Sequence, residues 1–95
     1  MSQKQKVQIP RATLDFYKYE ENGLVIYEFD ATQCQPPEPM VNAVVGLTML
    51  QNEKDRLVGL FFHEPTPLYD RVGNGYTHEA LELENGDFKI TFKKV

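Results

Sequence analysis

The segment Gln35-Pro36-Pro37-Glu38-Pro39-Met40, with the apolar run that follows it to Leu50, decides the fold of this chain. Its three prolines exclude the interior of a helix or of a central strand, because proline has a fixed φ and no N–H to donate. Proline is accepted in the first helical turn, where the backbone N–H groups have no intrahelical partners. The segment therefore predicts a stiff loop that leads into a helix.

The residues behind these prolines repeat with helical periodicity. The apolar stripe consists of Met40, Ala43, Val44, Leu47 and Leu50. Asn42 and Gly46 fall on the opposite side of the helical wheel. We expect the stripe to pack on a sheet and the opposite side to face away from it.

Two β-rich runs precede this helix and predict a hairpin. Residues 14–19 alternate, residues 24–29 are β-rich, and Asn22-Gly23 between them tolerates positive φ. With a four-residue loop at 20–23, Tyr19 pairs with Leu24. One face of the hairpin then carries Tyr17, Tyr19, Leu24 and Ile26.

After the first helix, the chain predicts a central strand and a short second helix. Residues 57–62 are almost continuously apolar, which is typical of a covered strand parallel to the preceding one. Thr66 and Pro67 suit the start of a helix, and the glycines at 73 and 75 end it.

A second hairpin closes the chain. Residues 76–83 and 88–94 flank a turn at 84–87, in which we expect Leu83 to pair with Phe88. That pairing places Leu81 on the core face and His78 on the outer face.

The order of these elements predicts one α+β domain over residues 1–95. We expect a two-layer α/β sandwich with both helices on one face of a mixed sheet. Residues 1–12 are expected to be a flexible tail, and residues 13–23 an added hairpin strand and turn.

Composition narrows the function classes. A net charge of −4 and a pI of about 5.1 do not favour binding to nucleic acid. No apolar run approaches membrane-spanning length, and a single cysteine excludes an internal disulfide framework. We therefore expect a cytoplasmic protein that binds neither nucleic acid nor membranes.

With its elements in this order, the chain from residue 24 to residue 95 resembles the TusA/SirA-like sulfur-carrier superfamily, and more closely a proline-rich branch of unknown function. In the carriers, a Cys-Pro-x-Pro motif opens the first helix and its cysteine carries a persulfide. Pro36-Pro37-Glu38-Pro39 lies over that motif, with Pro36 in the place of the cysteine. His63-Glu64-Pro65-Thr66-Pro67-Leu68-Tyr69 looks like the second signature of the branch. The resemblance implies a TusA-like β-α-β-α-β-β fold with an extra N-terminal β-strand, without the residue that defines sulfur transfer.

The leading functional hypothesis is a small non-enzymatic module that uses no cofactor. It would bind a protein partner or a small ligand near the proline-rich helix start. Glu38 and Glu64 follow neighbouring parallel strands, and ligands bind at that edge of such sheets. The predicted ligand or partner surface comprises Pro36, Pro37, Glu38, Pro39, His63 and Glu64.

Two alternative functions stay open. Cys34 is the candidate nucleophile of a thiol-dependent sulfur-transfer or redox accessory protein, because a thiol near a helix start can have a lowered pKa. His63 would serve a metal or haem protein, but the histidine spacing matches no compact ligand motif, so we expect no metal site. Separately, Tyr17, Tyr19, Leu24 and Ile26 form an interaction face, through which we expect either self-association as a homodimer or binding of a partner.

Overall fold

The structure, a computed structural model, describes residues 4–95 as a six-stranded mixed sheet with two α-helices. In chain order the elements are β1 Gln5–Val7, β2 Phe16–Glu21, β3 Leu24–Asp30, α1 Glu38–Leu47, β4 Asp55–Phe61, α2 Thr66–Val72, a 3-10 turn at Gly73–Gly75, β5 Tyr76–Glu82 and β6 Phe88–Lys94. The strands lie in the order β1-β2-β3-β4-β6-β5. β3 and β4 are parallel, and the other neighbouring strands described are antiparallel. The predicted α+β class is confirmed.

The core lies between one face of the sheet and the two helices. Phe29 of β3 lies at its centre, with ring centroids 5.0 Å from Phe16 of β2 and 5.7 Å from Phe61 of β4. Leu47 of α1 and Leu68 of α2 are buried in the same cluster. Both helices therefore cover the same face of the sheet, as predicted.

The proline-rich segment leads into α1 as predicted. Pro37 occupies the N-cap and Pro39 lies in the first turn, where no intrahelical donor is lost. The Pro36–Pro37 peptide bond is cis. The helix therefore starts within the proline-rich segment, as the sequence predicts.

The buried side of α1 differs from the predicted stripe. Asn42 and Gly46 are buried against the core, whereas Met40 and Val44 are only half-buried. At Gly46 an added Cβ would lie 2.8 Å from a side-chain carbon of Leu57, so the bare backbone allows the helix to approach the sheet. The prediction that Asn42 and Gly46 face away from the sheet was wrong. A hydropathy pattern assigns asparagine and glycine to the exposed side of a helix, although an amide can be buried when it is hydrogen-bonded and a glycine when the backbone packs closely.

The N-terminal hairpin has a shorter loop than predicted. Glu21 pairs with Leu24, and Asn22 and Gly23 between them have φ values of 54° and 80°. Two positive φ values in a two-residue loop match the twist of the flanking strands. The pairing is shifted by two residues from the predicted one, and a shift of two leaves every side chain on its predicted face.

The closing hairpin is shifted by one residue from the prediction. Glu82, not Leu83, pairs with Phe88. A one-residue shift moves each side chain of β5 to the other face of the sheet. His78 therefore lies on the helix side and Leu81, 58% exposed, lies on the opposite side, so both predicted orientations were wrong.

A tight loop explains this register. Leu83 donates its N–H to the carbonyl of Asp87 over 2.7 Å, which extends the pairing by one residue beyond β5. Gly86 has a φ of 92°, the left-handed conformation that closes a three-residue hairpin loop. The predicted loop of four residues did not account for this conformation.

The chain before β2 is more ordered than predicted. Of the expected flexible tail at 1–12, residues 1–3 lie outside the described residues, and Gln5–Val7 forms β1 beside β2. Ile9 is 7% exposed and belongs to the core cluster. This segment is held in place by two interactions: the backbone hydrogen bonds between β1 and β2, and the burial of Ile9 in the core.

Candidate functional site

A cleft lies where the two parallel strands end. β3 ends at Asp30 and β4 at Phe61, and the loops that follow lead into α1 and α2. The cleft between them has a volume of about 480 Å³. Residues 34–37, Pro39 and Met40 form one side, and residues 61–65 and Pro67 form the other. Ligands bind at this edge in sheets that contain parallel strands.

The walls of the cleft are stiff and largely apolar. Five of the six prolines of the chain line it, and their fixed φ angles restrict both loops. Phe62 lines the cleft and is 59% exposed. The centroids of the Phe62 and His63 rings are 4.5 Å apart, and the two ring planes lie at 66° to each other. A concave surface that is formed by stiff loops and carries an exposed aromatic ring is suited to bind the apolar part of a ligand.

The structure brings together most of the predicted ligand surface. The residues of that surface that line the cleft are Pro36, Pro37, Pro39, His63 and Glu64. Glu38 does not line it, and its Oε2 instead accepts a hydrogen bond of 2.6 Å from Thr13 Oγ1. Phe62 was not among the predicted site residues, because the apolar run at 57–62 predicts a central strand that includes it. Since β4 ends at Phe61, the next side chain is free to face the cleft.

Tyr69 of α2 connects Glu64 to the closing hairpin. Its Oη donates a hydrogen bond of 3.2 Å to Glu64 Oε2, and its ring stacks on His78 with the centroids 3.6 Å apart. Burial, followed by the hydrogen bond to Glu64 and the charge of Glu64, raises the pKa of Tyr69 to about 12. His78 therefore packs against α2, whereas His63 lines the cleft.

Alkaline pH is expected to destabilise the fold through Tyr69 and Tyr19. Tyr19 Oη donates to Glu28 Oε1 over 2.9 Å, and burial, followed by this hydrogen bond and the charge of Glu28, raises the pKa of Tyr19. Because folding raises both pKa values, the two phenols contribute fully to stability below the ordinary tyrosine pKa of about 10. That contribution is lost as the pH rises from this value through the pKa of each phenol in the folded protein. For Tyr69 this pKa is about 12.

Urea unfolding measured between about pH 9 and pH 12 tests this expectation. The free energy of unfolding should decrease less over this range in Tyr69→Phe and in Tyr19→Phe than in the parent protein. An equal decrease in the parent and in both variants would contradict it.

Cys34 lines the cleft, and its surroundings raise the pKa of its thiol. Burial, followed by the charge of Glu38, a hydrogen bond to Glu38 and the charge of Asp30, raises the pKa of Cys34 above its ordinary value. The sulfur-transfer alternative depends on a lowered pKa, because the thiolate is the nucleophile. The surroundings of Cys34 therefore favour the unreactive protonated form.

Two kinds of feature are absent from the described part of the chain, residues 4–95. No three His, Cys, Asp or Glu side chains in it are grouped so that they could hold a metal ion. No helix in it is long and apolar enough to cross a membrane.

The predicted interaction face is partly covered by its own neighbours. Tyr17, Tyr19, Leu24 and Ile26 do share one face of the sheet. Ile26 is only 7% exposed, and Lys4 Nζ lies 5.1 Å above the ring of Tyr19 while pairing with Glu28 over 3.0 Å. Tyr17 is 36% exposed. Dimerisation through this face stays a prediction, which sedimentation of the parent and Tyr17→Lys would test.

No family model, curated protein or solved structure matches this chain. The resemblance to the TusA/SirA-like superfamily therefore stays an expectation drawn from the sequence residues at 36–39 and 63–69.

Proposed function

We propose that this chain is a small non-enzymatic binding module of the TusA-like type, and that it binds a small, largely apolar ligand in the proline-lined cleft. The observation that carries the proposal is the cleft itself, with a volume of about 480 Å³ and an exposed Phe62. Small-molecule sites are concave, mostly apolar and roughly 300–1,000 Å³ in volume. Because the prolines restrict the backbone of both loops, few residues have to become ordered when a ligand binds, which reduces the entropy cost of binding.

A binding function is favoured over catalysis by the state of the polar groups at the cleft. Glu64 accepts a hydrogen bond from Tyr69, and the pKa of Cys34 is raised. The raised pKa disfavours Cys34 as a nucleophile, and one oxygen of Glu64 already holds a hydrogen bond within the protein. The residues that line the cleft thus suit the binding of a ligand more than its chemical conversion. We also propose a cytoplasmic location, because a single cysteine suits a reducing compartment.

Removal of the Phe62 ring is expected to weaken binding of an apolar probe. Titration with the neutral fluorophore N-phenyl-1-naphthylamine should give saturable binding to the parent protein. Phe62→Ala should raise the Kd about tenfold, which corresponds to about 1.4 kcal/mol. Leu81→Ala is the matched control, because Leu81 is 58% exposed against 59% for Phe62 and lies on β5, away from the cleft lining. Equal affinities of the two variants would place the probe elsewhere and remove the proposal.

The thiol-dependent alternative makes a different prediction for Cys34. A sulfur-transfer cysteine would react rapidly with iodoacetamide near neutral pH, whereas we expect slower alkylation than that of a free cysteine, since the pKa of Cys34 is raised. Cys34→Ser should leave the free energy of unfolding within about 1 kcal/mol of the parent. Fast alkylation with a low apparent pKa would restore the sulfur-transfer alternative.

A further inference from the structure

We propose that the cleft selects organic cations: small molecules with an apolar body and one ammonium group. This inference rests on the proposed binding function and adds the charge of the ligand to it. It follows from the groups that face the cleft and from the donors that the two adjacent helix starts lack.

Helix starts normally favour anions, because their free N–H groups and dipole attract negative charge. The first turn of α1 is poor in such donors. Pro37 at the N-cap and Pro39 have no N–H, and Glu38 donates its N–H to the carbonyl of Gln35 over 3.0 Å. Val41 donates to the carbonyl of Pro37 over 3.0 Å. Few α1 donors are therefore available to a phosphate, sulfate or carboxylate in the cleft.

The start of α2 is even poorer in available donors. Pro65 at the N-cap and Pro67 in the first turn have no N–H. Thr66 donates its N–H to the carbonyl of Glu64 over 2.9 Å, and Leu68 donates to the carbonyl of Pro65 over 2.9 Å. Both helix starts at the cleft thus lack most of the groups that would hold an anion.

The charges near the cleft also favour a cation. Among the described residues that line it, none is lysine or arginine, and Glu64 contributes a carboxylate. The charges of Glu38 and Asp30 act on Cys34 in the same wall, where they raise the pKa of the thiol. A positive group in the cleft would be attracted by these carboxylates, and a negative group would be repelled.

Phe62 adds a second attraction for a cation. Its ring is 59% exposed and lies in the loop that also carries Glu64. The face of an aromatic ring attracts an ammonium group, and the attraction is larger when water is partly excluded. An apolar body in the proline-lined cleft and an ammonium group near Phe62 and Glu64 would use both kinds of surface.

Three probes of matched shape test this inference: 2-naphthylmethylammonium, 2-naphthylmethanol and 2-naphthoate. Their affinities would be measured by NMR shift titration of the parent protein at low ionic strength. We expect the ammonium probe to bind about fivefold more tightly than the alcohol, since an exposed ion pair and a cation–π contact each contribute modestly. The carboxylate should bind more weakly than the alcohol.

Two variants identify the source of this preference. Glu64→Gln, which keeps an acceptor for Tyr69 Oη, should reduce the ratio between the affinity for the ammonium probe and the affinity for the alcohol. Glu79→Gln removes an exposed carboxylate from β5, away from the cleft lining, and should leave all three affinities unchanged.

The possible outcomes separate the two proposals. Equal affinities of the three probes in the cleft would overturn the preference for cations and leave the binding function standing. Tightest binding of the carboxylate would also overturn the preference. Shifts at the cleft with none of the three probes would overturn both proposals.

Discussion

Replacement of Asn42 by leucine is expected to lower the free energy of unfolding by about 2–4 kcal/mol, although leucine is the more apolar residue. The side chain of Asn42 is 0% exposed. Its Oδ1 accepts hydrogen bonds from the backbone N–H groups of Thr13 and Leu14 over 2.9 and 3.2 Å. Its Nδ2 donates to Thr13 Oγ1 over 2.8 Å and to the carbonyl of Glu38 over 2.9 Å. Leucine would leave partly buried backbone groups without partners, which costs more than its added apolar surface contributes.

Thr13→Val provides the control for this prediction. Valine keeps the backbone N–H that donates to Asn42 and removes only the hydroxyl, so the loss should be smaller, on the order of 1 kcal/mol. Urea denaturation of the two variants and the parent measures both effects. If Asn42→Leu were as stable as the parent, the amide would not be what joins α1 to the segment before β2.

Addition of one methyl group at Gly59 is expected to destabilise the centre of the sheet by about 1–3 kcal/mol. A Cβ at this position would lie 2.7 Å from a ring carbon of Phe61 and 2.9 Å from one of Phe29. Both rings are buried, at 2% and 1% exposure, so they can yield only by disturbing their own packing. Since Phe61 also lines the cleft, Gly59→Ala should weaken probe binding as well.

Gly75→Ala is the matched control for Gly59→Ala. A Cβ at Gly75 would have no neighbour within 4 Å, and its φ is not in the left-handed region. The free energy of unfolding of this variant should stay within about 0.5 kcal/mol of the parent. Thermal or urea unfolding of the pair separates a packing effect from the general cost of replacing glycine. Equal losses in the two variants would contradict the packing argument.

The candidate site was only partly predictable from the sequence. The positions of the prolines at 36–39 and 65–67 predict two helix starts, and parallel strands before them predict that these starts lie at one edge. The sequence does not predict that Phe62 faces the cleft, because this depends on where β4 ends. It also does not predict that Glu38 bonds to Thr13, a residue 25 positions earlier in the chain.

Features that depend on local backbone chemistry could be predicted from the sequence alone. Proline excludes a helix interior at 36–39 and 65–67 and permits a helix start there, and Asn22-Gly23 permits the positive φ values of a hairpin turn. Alternation of side chains then assigned the faces of β2 and β3 correctly even though the register was two residues off, because the pattern has a period of two.

The buried side of α1 and the pairing of β5 with β6 depend on contacts between segments that are distant in the chain. The buried state of Asn42 depends on donors 28 and 29 residues away, and that of Gly46 on the close approach of Leu57. The register of β5 depends on the left-handed conformation of Gly86 in a three-residue loop, and the stacking of His78 on Tyr69 follows from that register. Hydropathy and local propensity do not predict these contacts, because the contacts form only when segments that are far apart in the chain pack together.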